Sequence, residues 1–545
     1  MRDADSDRKL KGSTAAVLVK ALESSGVSHI FTLPGVQNDH LFVALHDSSL
    51  RCIHTRHEQG AAYMALGAAM ASGKPAPYAV VPGPGFLNTT AALATAYACG
   101  APVMAITGQI PSHAIGKGYG LLHEIPDQTA IVRSLTRWSA SISSPQAAWD
   151  KTHEAIARLS SKRFQPVGLE CPADIWAVQG EVSLDLPEAL EEAPIDLDAI
   201  VEAAQIIGNA DSVMIVVGGG AQDASEQVRW LATDIEAPVV AHRMGHGVVD
   251  GRDYHSLNFD AGFHIWPSID VVIAIGTRFQ VQAMQWRTNR CKAIIRIDID
   301  PNEMDRFDKP TVGLCGDAGR VLSLLLEHLP RFNKKRTSRE DELRGLKAES
   351  AKRLAYLQPQ IAYLESIRRE LPEEGIFIDE LTQLGYVSRL TFLVYEKRTF
   401  LSPGYQGTLG WAFPVALGAR IGSGGRPVVA VSGDGGFLFN VQELATAVQH
   451  KIPVVVVLMN DFAYGNVRRS QVDDFGNRVL GSDLQNPDFR KLVESFGARY
   501  HSATTPEDLG LAVREALRSD WVSVVEVQCG PMPSPWPILR QQYPN

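Results

Sequence analysis

The chain has 545 residues, 45% hydrophobic and 21% charged, which gives room for roughly three to four domains with a large core. A net charge of −9 and the lack of any long basic run exclude nucleic acid and acidic membrane surfaces as main partners. Six scattered cysteines without C-x-x-C spacing point to reduced thiols in a cytoplasmic protein rather than a disulfide framework or zinc site. Residues Met1 to Gly12 are charged and lack an apolar signal core, and no run of about 18 apolar residues is present to span a membrane.

Residues 12–178 read as alternating helices and strands. Thr14 to Ser25 has amphipathic helical spacing. His29 to Leu33 is a strand ending in Pro34-Gly35, with Gln37 and Asn38 just beyond. Arg51 to Thr55 is a short strand, and a helix runs from Glu58 through Ala71. Tyr78 to Val81 is a strand broken by Pro82-Gly83-Pro84-Gly85, and Val103 to Ile106 is another. Such alternation predicts a parallel sheet with helices on both faces. Glu58 stands where a strand hands over to a helix, a position that by itself suits a carboxylate meeting the helix dipole. The mixed loop Gly120 to Gln128 carries several polar side chains, among them His123 and Gln128.

Residues 179 to 195 are acidic, contain proline and lack periodicity, so they read as a linker. A second α/β unit spans 196–328. Its strand Val213 to Val217 leads into Gly218-Gly219-Gly220, and Val271 to Ile275 leads into Gly276-Thr277-Arg278. Strand, glycine turn and helix suit a dinucleotide, but the full G-x-G-x-x-G is absent and the signal is weak. Residues 331 to 355 are charge-rich, as in a solvated linker or exposed helix. A third unit spans 356–528. Gly375 to Asp379 is a strand with Glu380, Leu381, Thr382 and Gln383 at its carboxyl end, and the turn Gly404 to Pro414 holds Leu409 alone between glycines. The strand Pro427 to Val431 feeds Gly433-Asp434-Gly435-Gly436. Apolar spacing from Phe437 to His450 predicts a helix, and the apolar run Ile452 to Met459 ends in Asn460-Asp461-Phe462-Ala463-Tyr464. The proline-rich tail, 529–545, suits an extended arm over a site entrance.

In a βαβ unit the turns holding Asp434 and Asp461 lie at the carboxyl ends of neighbouring strands, where open α/β sheets bind ligands. Two carboxylates and a backbone carbonyl suit Mg²⁺, and glycines let backbone N–H groups approach phosphate oxygens.

This stretch, with Glu58 and Leu409 in order before it, resembles the thiamine diphosphate-dependent enzymes, whose diphosphate motif begins Gly-Asp-Gly and ends Asn-Asn. The resemblance covers nearly the whole chain and is nearest the acetohydroxyacid synthase-like branch of decarboxylases and carboligases. It implies an α/β fold of three doubly wound parallel-sheet domains: pyrimidine-binding, central and diphosphate-binding. Asp434, Asp461 and the carbonyl of Ala463 would hold Mg²⁺. Gly433, Gly435, Gly436, Thr382, Gln383 and Tyr464 would lie about the diphosphate. The Gly407 carbonyl would receive the cofactor's 4′-amino group, and Leu409 would bend its two rings together. Glu58 would hydrogen-bond N1′ of the aminopyrimidine, favouring the tautomer that presents a basic nitrogen to the thiazolium C2–H. Gln37 falls where some carboligases place a substrate-facing histidine, and the loop of His123 and Gln128 can reach substrate.

The resemblance further implies a small 2-oxo acid or related carbonyl substrate, with release of an aldehyde or ligation to a second carbonyl. It also implies a homodimer or dimer of dimers, in which Glu58 of one subunit serves the cofactor of the other. Asp461 replaces the motif's second asparagine, and Ser470 replaces a tryptophan of true acetohydroxyacid synthases, which weakens an assignment to branched-chain amino acid synthesis. Arg468 and Arg469 suit a substrate carboxylate or simple surface charge. The residues also leave two alternatives open. One is an acyl-CoA or sulfonate-processing enzyme with ADP, or a flavin such as FAD, in the central domain; the other is a non-catalytic regulatory homologue.

Overall fold

The computed structural model describes residues 9–161, 163–186 and 194–544. Three six-stranded sheets follow one another along the chain, and every pairing within them is parallel. In each sheet the first strand is flanked by the second on one side and by a later strand on the other, so each has a topological switch point. Crevices at such points, outside the carboxyl ends of the strands, are where open α/β sheets take ligands. In the last sheet the switch lies between Ile376–Ile378 and Val428–Gly433, with Val455–Asn460 next in line. Val455–Asn460 is apolar on both faces and wholly buried, as a central parallel strand must be.

The first and last sheets share a core. Its centre is the helix Glu58–Ser72, buried at every position from Gly60 to Ala71. A helix built of alanine, glycine and methionine on all faces has to lie inside the protein. It packs on Ala412–Gly422 so closely that a Cβ on Gly67 would strike the Val415 carbonyl, and one on Gly418 the Met64 carbonyl.

Two local expectations change, and a third is decided between its alternatives. Gln179–Ser183, within the expected linker, pairs antiparallel with Lys9–Ser13 and ties the N-terminus to the end of the first unit. Residues 187–193 of that linker lie outside the described residues. The helix expected from Phe437 to His450 is broken into Asp434–Phe437 and Glu443–Gln449. Between them Asn440 donates its side-chain amide to the Gly410 carbonyl (2.7 Å), which secures the turn in place of a continuous helix. Charge-rich residues 340–354 do form a helix, with Leu343, Ser350 and Leu354 buried. Among the described residues, no helix is long and apolar enough to cross a membrane.

Candidate active site

At the carboxyl edge of the last sheet, Gly433 ends one strand and Asn460 the next, with Gly433 paired to Met459. That register sets Asp434 and Asp461 on adjacent turns lining one cavity of about 280 Å³. Asp434 is buried and accepts from the Asn486 side chain (2.6 Å), which also donates to the Asn460 side-chain oxygen (2.9 Å). Asp461 accepts from the Gln383 amide (2.7 Å). Burial, and then the charge of Asp434, push the Asp461 carboxyl up to about 6; burial also raises Asp434. A cation between them would relieve both effects.

The loop after Asp461 is braced from outside. Ala463 bridges Asp483, Tyr464 N–H donates to the Ser482 carbonyl (2.8 Å), and Phe462 takes a left-handed conformation at φ 55°. Gly435 is a site where glycine is required, because a Cβ there would press on the Tyr464 ring (2.5 Å). Thr382 caps the helix Gln383–Thr391 by accepting from Gly385 N–H (2.9 Å). Gly407 is left-handed at φ 59° and, with the partly exposed Leu409, lines the same cavity. Leu409 therefore faces a space instead of completing the core.

Beneath this cavity lies Glu380. It accepts from the Gly410 and Gly433 N–H groups and the Ser432 hydroxyl, joining the turn that carries Leu409 to the turn that carries Asp434. Burial pushes its carboxyl up to about 7. In the sequence Glu380 is only a residue at a strand end and Asn486 one of several polar residues in an unpatterned loop, and neither carries a local signal of its role.

Fit to a diphosphate and Mg²⁺ rests on the donor set. The buried Asp434 and half-buried Asp461 carboxylates repel each other and line one crevice with Ala463 and the glycine turn. Mg²⁺ keeps few protein ligands and takes others from phosphate and water. Among the described residues, no group of three or more His, Cys, Asp or Glu side chains is placed to hold a metal, so this mixed set is the strongest cation candidate.

Glu58 lies elsewhere in the same chain and does not line this cavity. It opens its helix, accepts from the Asn88 amide (2.9 Å), and lies beside His57 and Gly85. Gln37 reaches the Leu122 carbonyl (3.3 Å), and His123 holds a left-handed φ of 66° against Gly83. Its Nδ1 and the Gln37 Oε1 are buried without a partner. Glu58, Gln37 and His123 thus gather about the Pro82–Asn88 loop. Gln128 does not meet the expectation of facing substrate. It is buried, and its amide is spent on Gly83 N–H (2.8 Å), the Gly108 carbonyl (2.9 Å) and Glu170 (2.9 Å), so it braces the glycine loop from behind.

The two arginines are also engaged. Arg468 pairs with Asp483 (2.6 Å) at the surface, and Arg469 donates to Gln383 (3.1 Å) and the Met532 carbonyl (2.6 Å). Met532 N–H donates to Gln383 (2.6 Å), and Trp536 donates to Asn466 (2.8 Å), so the tail crosses residues bordering the cavity.

A larger cavity, about 350 Å³, lies at the carboxyl edge of the central sheet and includes Gly218–Gly220, Gly276–Arg278 and Asp298. It contains neither Asp434 nor Glu58. A Cβ on Gly218 or Gly220 would strike Gly276, so these glycines let two turns pack backbone to backbone.

Comparison with known proteins bears on this arrangement. Models for the N-terminal thiamine pyrophosphate-binding domain, the central domain and the C-terminal thiamine pyrophosphate-binding domain of thiamine pyrophosphate enzymes match residues 13–131, 200–325 and 382–527. A probable 2-ketoarginine decarboxylase of Pseudomonas aeruginosa is 33% identical over 529 residues, covering 94% of this chain and 93% of that protein. The chain belongs to the thiamine pyrophosphate enzymes. Within them it falls in the acetohydroxyacid synthase-like branch, and it is a thiamine diphosphate-dependent decarboxylase or carboligase. A probable acetolactate synthase large subunit of Methanocaldococcus jannaschii is 31% identical, with 96% of this chain and 92% of that protein covered. A sulfoacetaldehyde acetyltransferase of Castellaniella defragrans is 26% identical, with 94% and 92% covered. The thiamine pyrophosphate enzyme fold accounts for the three sheets in their order.

Proposed function

We propose that this enzyme binds thiamine diphosphate with Mg²⁺ and acts on a small 2-oxo acid, removing CO₂ and then releasing an aldehyde or joining the remaining fragment to a second carbonyl. The observation that carries this reading is the Asp434–Asp461 pair facing the glycine turn in one cavity with Leu409. Asp434, Asp461 and the Ala463 carbonyl would hold the metal; Gly433, Gly435, Gly436, Thr382, Gln383 and Tyr464 would border the diphosphate. The cofactor, when bound, supplies a carbon nucleophile and an electron sink for the bond that breaks. Glu58 would hold a proton at N1′ of the aminopyrimidine, Gly407 would accept from the 4′-amino group, and Leu409 would fix the angle between the rings. Gln37 and His123 would border the substrate, each with an unsatisfied buried polar atom.

Because Glu58 is not in the cavity of its own chain, we assign it to the cofactor of a second copy, in a homodimer or dimer of dimers. Exposed apolar side chains flank both halves, Leu122 (65% exposed) beside Gln37 and Phe439 (48% exposed) beside Gly410, as an interface requires. The six free cysteines support a cytoplasmic location.

The test is CO₂ release from a panel of 2-oxo acids, including one with a guanidinium side chain, in thiamine diphosphate and Mg²⁺. Each is assayed with and without an aldehyde acceptor, and with and without ADP or FAD. Turnover of a panel member that requires both cofactors is expected. No turnover of any 2-oxo acid, together with ADP-dependent turnover of an acyl-CoA or sulfonated aldehyde assayed alongside, would move the assignment to the reading with a nucleotide in the central domain.

A further inference from the structure

The helix that carries Glu58 is held at its start by a group from the diphosphate-binding domain. Glu443, fully buried, turns its carboxylate toward the strand-to-helix corner and accepts from the N–H groups of Arg56 (3.2 Å) and His57 (3.1 Å). Its second anchor is the Thr446 hydroxyl (2.6 Å) one turn along its own helix. Gly60 lets the contact form, since a Cβ there would collide with the Glu443 carboxylate. Around it, Arg56 reaches the Gln449 side chain (2.8 Å) and Arg51 reaches the His450 carbonyl (3.2 Å). His54 and His450 meet edge to face (4.7 Å between centroids).

A carboxylate drawn out of water costs free energy unless strong donors meet it, and here backbone N–H groups and a hydroxyl do so. Burial raises the Glu443 carboxyl, in the direction of the desolvation that these donors offset. A pure packing contact between these helices needs no charge, and Leu444 and Ala447 on the same helix already lie in the apolar core. What the charge adds is direction: the two N–H groups it fixes are those immediately before Glu58.

We propose that Glu443 is a positioning residue for Glu58, fixing from the diphosphate-binding domain the corner that aims the Glu58 carboxylate at the aminopyrimidine. This rests on the assignment of Glu58 given above. The segment that opens with Asp434, at one cofactor's metal, closes on Glu443, which aims the acid for the other cofactor. Each chain therefore links the two sites of the dimer through one short stretch.

The test uses holoenzyme saturated with thiamine diphosphate and Mg²⁺ and reads deuterium uptake at the cofactor C2 by NMR after acid quench, per bound cofactor. Glu443→Gln, isosteric but one acceptor short, is expected to slow exchange about tenfold to a hundredfold, with cofactor affinity and assembly mass unchanged. Glu443→Asp keeps the charge at shorter reach and is expected to fall between; it carries the test alone if the glutamine variant does not fold. A structural role alone would lower yield or melting temperature and leave exchange per bound cofactor at the wild-type rate, and that result overturns the proposal. Glu58→Gln serves as the reference. Wild-type exchange in that variant would sink the assignment of Glu58 itself, whereas slow exchange there with wild-type exchange in both Glu443 variants would sink this inference alone.

Discussion

Glu380 is buried under the glycine turn with three donors aimed at it, and burial carries its carboxyl from an ordinary 4.5 up to about 7. In the unfolded chain the group ionises near 4.5, so between these values the folded state binds the extra proton. Stability from this group therefore falls as pH rises through the window, by roughly 3 kcal/mol in all. Glu380→Gln is expected to flatten the slope of apo-protein stability against pH between 4.5 and 7, read by urea unfolding; an unchanged slope would place the titration elsewhere. Asp461 titrates high for a different reason, because Asp434 adds its charge to the burial. Asp461→Asn keeps an oxygen donor and removes the repulsion, so calorimetry should show thiamine diphosphate still binding in the presence of Mg²⁺. Complete loss of binding would mean that both charges are needed to hold the metal. Asp434, Asp461 and Glu58 stand out in the sequence because each sits at a strand end or strand-to-helix corner, within stretches that resemble a known family's motifs. Glu380, Asn486 and Glu443 do not, since each draws its meaning from partners far along the chain: Gly410, Asp434 and Arg56 respectively. Gln128 misled for the same reason, its amide being committed to Gly83, Gly108 and Glu170 inside the fold.

The elements themselves follow closely from pattern. Continuous apolar runs became central parallel strands, and turns at their ends became the cavity walls. The exceptions mark where tertiary contacts won. Phe437 to His450 has helical spacing, yet the chain breaks at Asn440 to bind Gly410 and to swing Glu443 toward the Glu58 corner. Gln179–Ser183 lacks alternation because it is a short edge strand in a two-stranded ribbon, paired only with Lys9–Ser13. Glu58–Ser72 packs tightly on Ala412–Gly422, where glycines allow backbones to touch. Gly418→Ala would drive a methyl group into the Met64 carbonyl, which cannot yield as a side chain would. A loss of about 1–3 kcal/mol or more is expected, with activity per folded molecule reduced because the Glu58 helix shifts. Thermal unfolding and kcat measure the two effects, and a variant of wild-type stability would show that the helices have room to part.

At the scale of the whole molecule, one chain carries both proposed halves of the site and holds them apart. Asp434, Asp461 and Leu409 share a cavity, while Glu58 stands with Asn88 at the edge of another domain. That separation was expressed in the sequence only as order along the chain, because subunit geometry has no local signature. The account predicts that each active site is completed across a subunit interface, with the acid from one copy and the metal turn from the other. Co-expression of Glu58→Gln and Asp434→Asn chains, each inactive alone, tests this most directly. Mixed dimers would hold one site with both lesions and one with neither, so the mixture should recover about a quarter of wild-type turnover when association is random. No recovery from purified mixed dimers, with thiamine diphosphate and Mg²⁺ bound at the site without lesions, would contradict the shared site.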